Sequence, residues 1–295
     1  MKKNKSVLLS TPYILWMAAF TLIPLGVVGY YALTDPDTGV FTWANIAELG
    51  TYLPVFGQSI VYSAVSALFC LILGYPVAYY IAQRGPVMQK FLYMLVMLPM
   101  CMSFLLRTLA WVALLQDTGI INNLLEALGL ARLKLIRTPS AVVLGMVYNY
   151  LPYMILPLYA TILKIDGRLI EAAEDLGCTP VETFQKVTLP LSMPGIVSGL
   201  TMVFVPAVST FYMSQKLGGA GTVLIGDVIE RMFKQGNNAN LGAALSLLLM
   251  VLVFVCTGIM NRLGGDADEG VVVCREQTSG SPLPSLSSFI SPWPC

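Results

Sequence analysis

The chain reads as an all-α membrane protein with six transmembrane helices. Three observations predict this: apolar residues make up 56% of its 295 residues, charged residues only 11%, and mean hydropathy is +0.74. An average soluble domain carries roughly 25% charge, so this chain lacks the charged surface to remain in water. Runs of roughly 20 apolar residues, the length of a helical crossing, recur at about 13–33, 59–82, 91–116, 139–163, 196–213 and 241–261.

The first run follows Lys2, Lys3 and Lys5 and ends in no small-x-small cleavage site, so it reads as a retained helix, not a removed leader. Pro76, Pro99, Pro152, Pro157 and Pro206 fall inside runs, where a membrane helix tolerates a kink if neighbours satisfy the freed carbonyl. Pro206 and Ser209 make the fifth run the weakest.

Basic residues set orientation. The N-terminal lysines and the Arg84/Lys90 loop are free of acids, whereas 34–58 carries Asp35, Asp37 and Glu48 and no base. Both termini are therefore expected inside. Arg132, Lys134, Arg137, Lys216, Arg231 and Lys234 fall in loops assigned outside and run against the rule.

Two outer segments have helical periodicity. Ile120, Ile121, Leu124, Leu125 and Leu128 precede Gly129, a helix stop, and Val223, Ile225, Val228, Ile229, Met232 and Phe233 form a second such face. Both suit helices lying along the membrane surface. Three parts follow: 1–58 with the first helix and outer segment, a 59–263 core with five spans, and a 264–295 tail. That tail, acidic and then Ser/Pro-rich, reads as disordered.

Composition also excludes function classes. With no histidine and no CxxC pair among six cysteines, a zinc, haem or imidazole acid–base site is not expected, and the cysteines read as packing residues. A net charge of +1 gives no footprint for nucleic acid. No nucleophile–base constellation suggests a membrane enzyme.

The inner loop between the fourth and fifth runs is the most informative stretch. Lys164 to Leu191 spells a helix that ends at Gly177 and a second that starts at a Thr179-Pro180-x-Glu182 capping box and stops near Pro190. Two short, well-capped helices make a rigid element able to transmit displacement to a soluble partner. The residues alone equally allow a surface connector.

Glu171-Ala172-Ala173, three residues, Gly177, nine residues, then Val187-x-Leu189-Pro190 resembles the EAA loop of ABC-importer permeases, with Val187 where that family usually has Ile. The resemblance implies a type I importer permease fold. It also implies that Glu171, Ala172, Ala173, Gly177, Leu189 and Pro190 form a coupling element docked on an ATP-binding subunit. Small side chains at 172 and 173 would allow close approach, so a bulky residue such as Ala173→Trp is expected to uncouple transport. The chain has no G-x-x-x-x-G-K-[ST] phosphate loop. No cofactor is expected on it, with ATP and Mg held by the partner ATPase.

The stretches Leu73–Ala78, Thr138–Val142, Leu156–Tyr159, Gly218-Gly219 and Leu224–Gly226 resemble spermidine/putrescine permeases, nearest the first of the two in that system. The resemblance implies an ATPase dimer, a homologous second permease, a periplasmic or lipid-anchored binding protein and lipid as partners, in a bacterial inner membrane. Polyammonium cargo calls for carboxylates and aromatic faces. Candidates are Trp111, Tyr148, Tyr150, Tyr153, Phe211 and Tyr212, with Asp117, Asp227 and Glu230. Arg107 lies within a span, where arginine is costly and often functional. Its sign is wrong for a polyamine, so it suggests a gate, an ion pair, or a different cargo. Thiamine, ferric iron or an oxyanion in the same machine is the alternative, and a gradient-driven transporter or channel a more distant one.

Overall fold

The computed structural model describes residues 3–35, 39–219, 221–234 and 238–276. Among these, five helical stretches have the length and hydropathy of a crossing, one of them (Phe104–Ala127) made of two consecutive helices, or six if a pair bent by 63° at Ser192 counts as one.

Helix α1 (Lys3–Ala32) leads to α2 (Ala44–Ala82). The latter begins well before residue 59, so the expected 1–58 boundary falls inside a helix. At 39 residues it is about 58 Å long, nearly twice a hydrocarbon core. The early start has a packing cause: Leu49, Tyr52, Val55 and Phe56 meet Ile225, Leu241 and Leu245. Pro54 and Pro76 are accommodated within the helix.

The third expected span is broken. Helix α3 (Pro86–Met97) continues as a 3-10 turn through Leu98–Cys101, Met102 turns extended at ψ 145°, and α4 (Phe104–Leu115) starts afresh. Cys101 is exposed here, not packed as expected, whereas Cys70 is buried. Helix α5 (Ile120–Ala127) follows and ends where expected, with Gly129 at φ +77°.

Helix α6 (Pro139–Ile162) is the centre of the bundle and is capped by the Thr138 hydroxyl, which accepts from the Ala141 amide. It packs on α2 and on α10 (Met193–Ser209). These approaches depend on missing side chains. A Cβ on Gly199 would come within 2.7 Å of Met154 Sδ, and one on Gly195 within 2.7 Å of Thr161 Oγ1. Small residues four apart on one helix face permit such close packing in a membrane.

Between α6 and α10 lie α7 (Gly167–Asp175), α8 (Pro180–Thr183), a π-helical turn (Phe184–Thr188) and α9 (Leu189–Leu191). The fifth crossing ends earlier than expected, at Ser209. Thr210 is extended, and a short α11 (Tyr212–Leu217) resumes the course, so residues 196–213 are two helices, not one. The surface helix α12 (Ile225–Lys234) follows, anchored to α2 by a hydrogen bond from Ile225 N to Ser59 Oγ at 2.8 Å. Finally α13 (Ala239–Glu276) runs past Leu263, where the sequence reads as disordered. Extending a formed helix is far easier than nucleating one, so Gly264 and Gly265 do not stop it. The Ser/Pro-rich part from 277 onward lies outside the described residues.

Candidate functional site

The loop between α6 and α10 is built from local rules. Asp166 caps α7 by accepting from Arg168 N at 3.0 Å. Helix α7 ends in a left-handed glycine, Gly177 at φ +85°. There Cys178 N donates to Ala173 O (3.1 Å) and Gly177 N to Glu174 O (2.9 Å), the paired bonds of a Schellman ending. Thr179 and Glu182 form the expected capping box. The Glu182 carboxyl is held below the usual range, first by the Thr179 amide, then by its hydroxyl and by Lys186.

The expected stop at Pro190 is replaced by a widened turn. Proline cannot donate and its ring excludes the carbonyl four residues back. The helix accommodates this as a π turn in which Leu189 N donates to Phe184 O, and continues to Leu191 before bending into α10.

The two alanines point in different directions. Ala173 is 8% exposed, buried in its own chain, whereas Glu171, Ala172 and Gly177 are exposed. Leu176 and Val181 stand out at 86% and 65% exposure. Tryptophan at 173 would therefore clash inside the loop, and Ala172 is the position that probes an outer contact. Leu189 is half-buried and Pro190 exposed.

What holds this loop to the bundle is a cluster that sequence reasoning did not identify. The Phe184 ring meets Tyr75 edge-on at 5.5 Å and Tyr79 at 5.7 Å, both on α2. Tyr75 Oη lies 2.8 Å from Ser192 Oγ at the bend. The Tyr75/Tyr79 spacing of one helical turn was the available signal. Gly177→Ala is expected to loosen the loop by about 1–2 kcal/mol. A Cβ there meets nothing within 4 Å, so the effect is backbone strain alone. Faster limited proteolysis between α7 and α8 in the intact complex would register it.

The candidate path residues fall into separate groups. Trp111 on α4 and Tyr148 on α6 are edge-on at 5.3 Å. Tyr150 and Tyr153 are 6.4 Å apart; Tyr150 is buried and donates to Pro206 O at 3.3 Å, while Tyr153 is exposed. Tyr212 contacts Phe104 at 6.3 Å and lies under Lys216 Nζ at 5.8 Å. Asp117 is exposed beyond α4 and joins none of these groups.

The other two acids meet through Gln215, whose Nε2 donates to Asp227 Oδ1 at 2.8 Å and also to Glu230. Asp227 is buried and paired with Arg231 at 2.8 Å; Glu230 is paired with Lys234. The Lys234 hydrogen bond, ahead of that from Gln215, holds the Glu230 carboxyl below its ordinary range. Glu230 and Phe211 also line a cleft of about 430 Å³ between α10, α12 and α13, otherwise walled by apolar side chains such as Val205, Ile229, Leu249 and Phe254 and by Ser209 and Ser246. The cleft offers a carboxylate at one edge of a largely apolar wall, which suits an ammonium attached to a methylene chain. Arg107 lies apart from this cleft, buried in α4. Among the described residues no cluster of His, Cys, Asp and Glu could hold a metal.

A family model described as binding-protein-dependent transport system inner membrane component matches residues 71–265. The spermidine/putrescine transport system permease protein PotB of Salmonella typhimurium (strain SL1344) is 37% identical over 247 residues, covering 81% of this chain and 86% of that protein. PotB of Haemophilus influenzae is 38% identical over the same shares. The inner membrane ABC transporter permease protein YdcU of Escherichia coli (strain K12) is 30% identical, covering 80% of this chain and 81% of its own. Among solved structures, a chain of a bacterial ABC transporter involved in alginate import superposes with a TM-score of 0.76 at 20% identity, covering 90% of this chain and 96% of that one. That likeness shows the fold alone.

Proposed function

The chain belongs to the family of binding-protein-dependent transport system inner membrane components, and from that membership we propose that it is the permease of an ATP-driven polyamine importer. The cargo rests on one observation: permeases named for spermidine and putrescine are 36–38% identical across 81% of this chain. The Glu230 cleft supports it, because its carboxylate and apolar wall match alternating ammonium and methylene groups. An arriving ammonium would take the place of Lys234 at Glu230. Trp111, Tyr148, Tyr153 and Tyr212 supply ring faces for cation–π contact along the route, and Asp117 adds negative charge toward the outer side, while Asp227, neutralised by Arg231, orients Gln215.

In this reading both termini face the cytoplasm, and α7 and α8 dock on an ATPase dimer that carries the ATP and Mg. Glu171, Ala172, Leu176, Gly177 and Val181 present the contact surface. The Phe184–Tyr75–Tyr79 cluster and the Tyr75–Ser192 contact pass displacement into α2 and α10. A homologous second permease completes the path, and a periplasmic or lipid-anchored binding protein delivers cargo. One observation favours a second reading, an oxyanion or an anionic metal chelate as cargo: Arg107 is a buried cation that no carboxylate among the described residues pairs with.

ATPase activity of the reconstituted complex with its binding protein tests this. Stimulation by spermidine or putrescine, and not by thiamine or an oxyanion, is the expected result. Stimulation by thiamine, ferric iron or an oxyanion alone would sink the cargo assignment and leave the permease assignment standing.

A further inference from the structure

Arg107 is 6% exposed, and its Nε and Nη1 are buried with no hydrogen-bond partner. None of the ion pairs among the described residues includes it. A guanidinium stays protonated in proteins, so a full positive charge is lodged in a crossing helix without a counter-charge among the described residues. Asn149 Oδ1 is also buried without a donor. An amide is neutral, however, and accepting from Arg107 would leave the charge in place.

The surroundings give this charge a position. Tyr93 on α3 meets Tyr159 at 5.7 Å, and Trp111 on α4 meets Tyr148 at 5.3 Å. These contacts fasten the two ends of the broken third span along α6, so the Met102–Ser103 break lies between them, alongside the interior of that crossing helix. The break in the fifth span, at Thr210–Phe211, is beside it, because Phe104 and Tyr212 (the first residues of α4 and α11) contact each other. Arg107 follows one turn after the first break and lies within electrostatic reach of Tyr150, which is bonded to Pro206 O near the end of α10. Lys216 over Tyr212 adds a second positive group.

Residues Cys101, Met102 and Ser103 at the first break are exposed on this chain. Irregular backbone at membrane depth is tolerated only where protein covers it or where it lines a water-filled cavity. This layer therefore faces a partner or the path, and broken helices that meet at mid-depth mark transport routes in membrane proteins. With no carboxylate paired to it among the described residues, the charge is still felt by a passing ion.

We propose that Arg107 is a charge-selectivity residue of the closed path, a fixed positive charge that keeps small cations from leaking through the level at which the third and fifth spans are broken. Fixed positive groups and half-helix ends exclude cations in other membrane pores. At about 8 Å and an effective dielectric near 20, a unit charge disfavours a monovalent cation by ~2 kcal/mol, about thirtyfold in occupancy. The inference rests on the reading of this chain as a path-lining permease and not on the identity of the cargo.

Potassium and chloride leak through the complete transporter, reconstituted without nucleotide or binding protein, tests it. Arg107→Met and Arg107→Gln are expected to raise potassium leak at least tenfold with chloride unchanged, and Arg107→Lys to stay as tight as wild type. A tight Arg107→Met complex overturns the proposal. So does equal leak of both ions, or a leaky Arg107→Lys, since either makes the role one of packing. Should Arg107→Met fail to assemble, a tight Arg107→Gln complex overturns it. Leak is read without cargo, so an error in the cargo assignment would show only in the ATPase measurement.

Discussion

Tryptophan at position 172 is expected to abolish ATP-driven uptake while the permease remains in the membrane. Ala172 is exposed on α7, beside exposed Glu171 and Gly177 and near the protruding Leu176 and Val181. Its side chain does not support the loop, so enlarging it leaves the fold alone and disturbs only what docks there. Overpacking a close contact costs ~1–3 kcal/mol, and each ~1.4 kcal/mol is about tenfold in affinity. Co-purification of the ATPase subunit should therefore weaken tenfold or more, and uptake fall with it. Ala173→Trp should behave differently: with Ala173 buried, it should destabilise the loop itself and lower permease yield. Normal uptake by the Ala172→Trp complex would remove this surface from the coupling route.

The second large effect is expected from Phe184→Ala, as hydrolysis without transport. Among the described residues Phe184 is the one ring that meets both Tyr75 and Tyr79, so it joins the docking loop to α2. Edge-on aromatic pairs contribute ~0.5–1.5 kcal/mol each beyond area burial, and truncating a fully buried phenylalanine costs ~3–5 kcal/mol. Phe184 is only partly buried, so a loss of about 2–3 kcal/mol is expected. That is enough to let the loop move without pulling the bundle. The alanine variant should keep its ATPase activity and lose most uptake, and Phe184→Leu should keep part of both. If the alanine variant transports at the wild-type ratio to ATP consumed, displacement reaches the membrane through the α9–α10 bend instead.

Features written in neighbouring residues were legible. Gly177 and the Thr179/Glu182 box each act within a few positions, so the ends of α7 and α8 can be read from the chain, as can Gly129. Hydropathy located the crossings for the same reason. The two helix breaks were not legible, because Cys-Met-Ser and Thr-Phe carry no strong stop signal. They depend on how α4 and α11 settle against α6 and each other. The orientation of Ala173 was hidden because the rotation of a short helix depends on its neighbours. Likewise the early start of α2 comes from packing on α12 and α13, far along the chain. Asp227 and Glu230 were identifiable as acids, but their shared partner Gln215 became evident only when α11 and α12 were brought together.

The order in which the chain is made gives the position of α1 a consequence. Its packing within the chain is chiefly on α13, through Val28 and Ala32 against Ala243, Ala244 and Leu247. Asn240 Nδ2 donates to Thr34 O at 2.6 Å and so fastens the same junction. Helix α1 is made well before α13 and so gains this packing late, held until then at its end by Asn45 of α2, whose Nδ2 donates to Ala32 O and Thr34 O. Until then it waits in lipid, its long apolar face open to quality-control proteases and to the neighbouring subunit. Loss of α13 would thus be felt first at the opposite end of the chain, as a loosened N-terminal helix.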